Sequence, residues 1–106
     1  MQTYIMLMKF TEQGAADILD ASGGRTAGKE MAAAMGLTWK TSYLVMGAYD
    51  VIVVLEAPDD ETMARFALMG GMSGAVSTQT MRAFTESEAD KIIRSMDRPP
   101  DQPEDE

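Results

Sequence analysis

A tyrosine and an aspartate stand side by side in Gly47-Ala48-Tyr49-Asp50, which sets a phenol next to a carboxylate in a segment that reads as a turn. Such a pair can hold a polar ligand or move a proton. Turn chemistry accounts for the same residues: glycine supplies a positive φ, aspartate accepts from turn amides, and tyrosine lays its ring on a sheet edge with the hydroxyl in water. The turn is the preferred reading and ligand contact the alternative. Lys9, Lys40 and Arg82 form a second set, cations within segments of strand-like composition. Together they would suit a pocket for an anionic metabolite. Each can also reach water past its own apolar stem or pair with Glu56 or Asp50, and that account is preferred.

Other chemistries are thin. The chain has neither cysteine nor histidine, which removes disulfides, zinc ribbons, iron-sulfur ligation, thiol nucleophiles and the commonest base and metal ligand. Asp59-Asp60-Glu61 would suit a hard cation, but consecutive acids at a helix start ordinarily answer the helix dipole. Gly70-Gly71-Met72-Ser73-Gly74 offers backbone amides to a phosphate, yet it follows a helix and lacks the Lys-Ser/Thr ending of a P-loop. The 11 methionines suit either plain core filling, the preferred account, or a cavity adaptable to apolar ligands. No catalytic residue is assigned, and no cofactor or metal is expected.

With 106 residues, 45% of them hydrophobic and 25% charged, the chain suits one domain with a modest core. No apolar run approaches a membrane span and the N-terminus lacks a signal-peptide layout, so the expected location is the cytoplasm. The net charge is -8. Half of it belongs to the segment from Asp97 onward, which holds three prolines and five acids against one arginine. Residues 97–106 are therefore expected to form a disordered, acidic, Pro-rich tail to a domain spanning 1–96. The cations elsewhere are scattered, which argues against a nucleic-acid surface.

The elements that must position these groups are legible from periodicity. Residues 3–10 are nearly all apolar and read as a strand buried on both faces, with Tyr4, Met6, Met8 and Phe10 on one side. Thr11 is placed to cap a helix that turns Ala15, Ile18 and Leu19 inward, with an interruption at Gly23-Gly24. A second helical piece runs from Arg25 to Met35 and stops at Gly36. Residues 37–46 and 51–56 read as two strands of a β-hairpin. Asp59 to Glu61 open a helix that buries Met63, Phe66 and Ala67 and ends near Gly70-Gly71 and Gly74. Residues 76–84 give a fourth strand. Thr85-Glu86-Ser87-Glu88 is a capping-box pattern opening a last helix with Ala89, Ile92, Ile93 and Met96 in its stripe.

Strand, helix, strand, strand, helix, strand with right-handed crossovers gives an α+β, ferredoxin-like βαββαβ antiparallel sheet in order 4-1-3-2 with its helices on one face. The opposite face has no polar character either: the first strand is apolar on both sides apart from Lys9, and the third sets Val51, Val53 and Leu55 on one side and Ile52 and Val54 on the other. A bare patch of that kind is an association site. The expected partner is therefore a second copy of the chain, as a homodimer or higher homo-oligomer, unless the last helix folds back to cover it.

Taken in order, Tyr4 to Thr11, Met46-Gly47-Ala48-Tyr49-Asp50, Glu56 to Glu61 and Arg82-Ala83-Phe84-Thr85-Glu86 resemble the GYD domain family, named for the Gly, Tyr and Asp matching Gly47, Tyr49 and Asp50. The similarity covers roughly residues 3 to 96. It implies a small bacterial protein with the dimeric α+β barrel form of this plan, and it implies no catalytic residues. Similar architectures serve small monooxygenases, haem-handling enzymes and amino-acid-sensing domains, of which the haem branch lacks an axial histidine here. Two readings stay open. One is a self-associating protein that binds a small apolar or anionic metabolite between sheet and helices. The alternative is a cofactor-free enzyme of monooxygenase or isomerase type using Tyr49, Asp50 or a lysine.

Overall fold

The computed structural model describes residues 1–97; most of the acidic segment expected from residue 97 onward lies outside them. The order is β1 (Gln2–Phe10), α1 (Glu12–Ala16), a 3-10 turn (Ile18–Asp20), α2 (Ala21–Ala34), β2 (Thr38–Leu44), β3 (Val51–Ala57), α3 (Asp60–Met72), β4 (Val76–Ala83) and α4 (Glu86–Arg94). The four strands form one antiparallel sheet in the order β2-β3-β1-β4. This is the expected order read from the other edge, and the fold is α+β and ferredoxin-like. No helix among the described residues is long and apolar enough to cross a membrane.

Register divides the sheet into unequal faces. Residues directly opposed in an antiparallel ladder share a face, so Tyr4, Met6 and Met8 stand with Leu55, Val53 and Val51 and with Arg82, Thr80 and Thr78. This side carries the core. Tyr4, Met6, Val53, Leu55 and Ala57 are buried against Ala32, Leu37, Met63 and Phe66. Ile5, Leu7, Ile52 and Val54 point the other way, remain partly exposed and have Met81 and Tyr43 beside them. β1 is thus buried on one face, not both.

The first helical region differs from expectation in where it breaks. α1 ends after five residues and the chain turns at Asp17 to Asp20, whereas Gly23 and Gly24 lie inside a continuous α2. Two helical glycines cost about 1 kcal/mol each against alanine, which tertiary packing outweighs. The turn also carries Ile18 and Leu19 outward, with Leu19 96% exposed. α2 ends as Gly36 predicts. That residue has φ 85°, and Leu37 N donates to Ala32 O (2.9 Å) while Gly36 N donates to Ala33 O (3.2 Å), a Schellman pair. α3 runs through Gly70 and Gly71 to Met72. α4 has its capping box, with Thr85 and Glu88 satisfying each other's amides, but it buries no residue. Ile92, Ile93 and Met96 stay exposed, so this helix does not shield the open face within one chain.

Candidate functional site

The hairpin turn is held by Asp50. Its carboxylate accepts from Phe10 N (2.8 Å), its own N–H donates to Met8 O (2.9 Å), and its carbonyl accepts from Val45 N (2.8 Å). β1 extends two residues past the register of β3, and the carboxylate stands in for the missing strand partner of Phe10. Gly47 has φ 122°, which favours glycine. The Tyr49 hydroxyl donates to Gln79 Oε1. Lys9 is exposed at the same end of the sheet, opposite Ser77.

Lys40 and Arg82 sit elsewhere. Lys40 is the extra residue of a bulge in β2 between Trp39 and Thr41, with its ammonium 3.9 Å from Glu56. Arg82 is on β4 across from Tyr4; its guanidinium lies 5.6 Å from the Tyr4 ring and 4.4 Å from the Phe84 ring, and it donates to Thr3 O and Ala83 O. The five residues therefore do not converge. Tyr49, Asp50 and Lys9 share one end of the sheet, while Lys40 and Arg82 occupy opposite edges toward the other end.

The acids at the start of α3 are also engaged. Asp59 caps the helix through Thr62 N (2.8 Å), and those contacts with Thr62 hold its carboxyl below the usual aspartate value. Asp60 accepts from the Tyr4 hydroxyl at 2.5 Å, and Glu61 pairs with Arg65 at 3.2 Å. Burial first, and then the hydrogen bond and charge of Asp60, push the Tyr4 phenol up to about 12. Glu88 is likewise held below the usual glutamate value by its capping contacts with Thr85. Among the described residues no group of three or more acids is placed to hold a metal.

Concavity gathers instead around Trp39. On one side, between α2 and the β2 edge, lies a shallow groove of about 680 Å³ that includes Arg25, Lys29, Lys40 and Ser42. On the other, between sheet and helices, a cavity of about 630 Å³ is walled by Met6, Met8, Phe10, Met31, Phe66 and Met69. Trp39, Arg25 and Ser42 line both. The indole packs where α2 has no side chain: a Cβ on Gly28 would stand 3.3 Å from the Trp39 ring. Lys29 Nζ lies 6.0 Å from the ring centroid, and the buried Trp39 Nε1 has no acceptor. The methionine alternative weighed from composition has a physical counterpart here, since Met6, Met8, Met31 and Met69 all face the cavity. Trp39, Arg25 and Lys29 were not singled out from sequence. The available signal was a lone tryptophan in a strand, whose indole N–H needs a partner when buried.

Comparison with known proteins agrees with this architecture. The family model of the GYD domain matches residues 4–93. A Thermus thermophilus protein named "Glutamine synthetase and cystathionine beta-lyase binding protein" is 32% identical over 85 residues, which cover 79% of this chain and 90% of that one. The crystal structure of the protein TTHA0845, also from Thermus thermophilus, superposes with a TM-score of 0.52 at 25% identity, covering 80% of this chain and 95% of the other.

Proposed function

The chain belongs to the GYD domain family, and we propose that within it this protein is a self-associating binding protein of the bacterial cytoplasm, in which two copies pair through their bare sheet faces. Each domain also holds a small ligand in the cavity between sheet and helices. The observation that carries the pairing is the face formed by Ile5, Leu7, Ile52, Val54 and Met81, which has no helix over it because α1, α2 and α3 lie on the other side and α4 buries nothing. Fully covering an aliphatic side chain stabilises by about 1.5 to 3 kcal/mol. Several such residues from each copy supply enough to offset the cost of association, and two sheets facing each other make the dimeric α+β barrel.

The name of the 32% identical relative points to a binding role of the same kind, directed at other proteins. The enzymatic alternative draws less support, because Asp50 is engaged with the turn by its carboxylate, N–H and carbonyl and Tyr49 with Gln79. Sedimentation equilibrium at micromolar concentration tests the pairing. Twice the chain mass is expected for the native protein, and Val54→Lys, which sets a charge in the middle of the face, is expected to give the chain mass with unchanged circular dichroism. Native protein sedimenting at the mass of one chain would sink the reading.

A further inference from the structure

The cavity and the groove meet at Trp39, and the chemistry changes from apolar to cationic across that point. On the cavity side the wall is methionine and phenylalanine, and the unbranched thioether chains adapt to an apolar guest of variable shape. Its volume, about 630 Å³, lies within the range of about 300 to 1,000 Å³ typical of small-molecule sites. On the groove side stand Arg25 and Lys29, neither of which has a carboxylate within salt-bridge distance among the described residues. Lys40 is beside them but shared with Glu56. Between the two regions sits the ring of Trp39, which lines both, with its N–H shut off from either. Asp17 and Asp20 line the cavity as well, at the turn that leads into α2, so an anionic head group is disfavoured at that end and favoured at Arg25 and Lys29.

Resting on the reading of the cavity as a ligand site, we infer that its ligand is a small amphipathic carboxylate. Its apolar chain lies among Met6, Met8, Met31 and Phe66, and its head group lies at Arg25 and Lys29, beside the Trp39 ring. A guanidinium meets a carboxylate with two parallel N–H donors, and such charge-assisted bonds are roughly twice as strong as neutral ones. An alcohol of the same chain length fills the cavity but gains no charge-assisted bond from the cations. An amine of that length meets their repulsion.

Trp39 is the single tryptophan of the chain, so its emission reports the junction directly. The full chain is titrated with decanoate, decanol and decylamine below their micelle thresholds, with calorimetry giving the stoichiometry. The expected result is saturable decanoate binding, one per chain, with decanol at least about tenfold weaker and decylamine weaker still. Both cations are exposed, so Arg25→Gln with Lys29→Gln leaves the fold intact; it is expected to weaken decanoate about tenfold or more and leave decanol unchanged. Equal affinity for decanoate and decanol, or decanoate binding indifferent to the double substitution, overturns the carboxylate assignment while the cavity reading stands. No binding of any of the three, or many molecules adsorbed per chain, overturns both, and the sedimentation result for pairing is independent of either.

Discussion

Replacing Gly14 by alanine tests how the first helix is docked. Gly14 is buried in α1, and a Cβ built on it would lie 2.0 Å from Ala75 O and 3.0 Å from Ala75 C. Both atoms are backbone, so no side-chain rotation relieves the clash, and the two segments must part by at least about 1 Å to reach the closest spacing that real Cβ atoms show. Two hydrogen bonds cross this contact: Thr11 N to Ala75 O at 3.0 Å and Thr11 Oγ1 to Gly74 O at 2.6 Å. Losing both costs about 2 kcal/mol, to which strained packing adds about 1. Alanine returns about 0.5 to 1 kcal/mol through its better helix propensity. The net expectation is a loss of about 2 to 2.5 kcal/mol, a sizeable part of the roughly 5 to 15 kcal/mol typical of a domain. Urea unfolding followed by circular dichroism measures it, at one protein concentration, because association stabilises the folded state. Gly23→Ala is the control. Nothing lies within 4 Å of its added Cβ, so it should gain about 0.5 to 1 kcal/mol. Gly14→Ala at native stability would refute the close-approach argument.

Two further outcomes follow from the turn and from the buried phenol. Asp50→Ala leaves Phe10 N–H without its charged acceptor and should cost about 1.5 to 3 kcal/mol in the same urea assay, whereas Tyr49→Phe, which removes an exposed contact with Gln79, should cost less than about 0.5; the reverse ranking would contradict the assignment of Asp50 as the turn's clamp. Tyr4 ionises in the folded state only near 12 against an ordinary 10.0, so its contribution to stability is full below pH 10 and declines between pH 10 and 12, by up to about 2 to 3 kcal/mol. Tyr4→Phe should flatten that part of the stability profile relative to native protein, and an unchanged slope would argue against a buried, Asp60-bonded phenol.

Much of the architecture was legible because the elements announce themselves locally. Short apolar runs alternating at period two, a Gly-containing turn between two of them and caps at Thr11, Asp59 and Thr85 place the strands and the starts of α1, α3 and α4 within a residue or two, but not the start of α2. The break in the first helical region falls at Asp17 to Asp20 and not at Gly23-Gly24: glycine propensity is worth only about 1 kcal/mol, while α1 is docked by a backbone contact between Gly14 and Ala75. That contact joins residues about sixty apart, and no local pattern encodes it. The candidate groups divide in the same way. Asp50 as a turn residue follows from its neighbours, but its bond to Phe10 N depends on strand register.

By itself, the sequence determined the kinds of element, their order and the excess of apolar residues that leaves one sheet face bare, since each of these depends on side-chain period and on how much helix 106 residues can supply. Tertiary structure alone decided that Lys9, Lys40 and Arg82 would be scattered while Arg25, Lys29 and Trp39 gather, because convergence depends on the bulge at Lys40, the missing side chain at Gly28 and the packing of α2 over β2. Spacing along a chain constrains which face a residue occupies; only the folded register brings distant faces together.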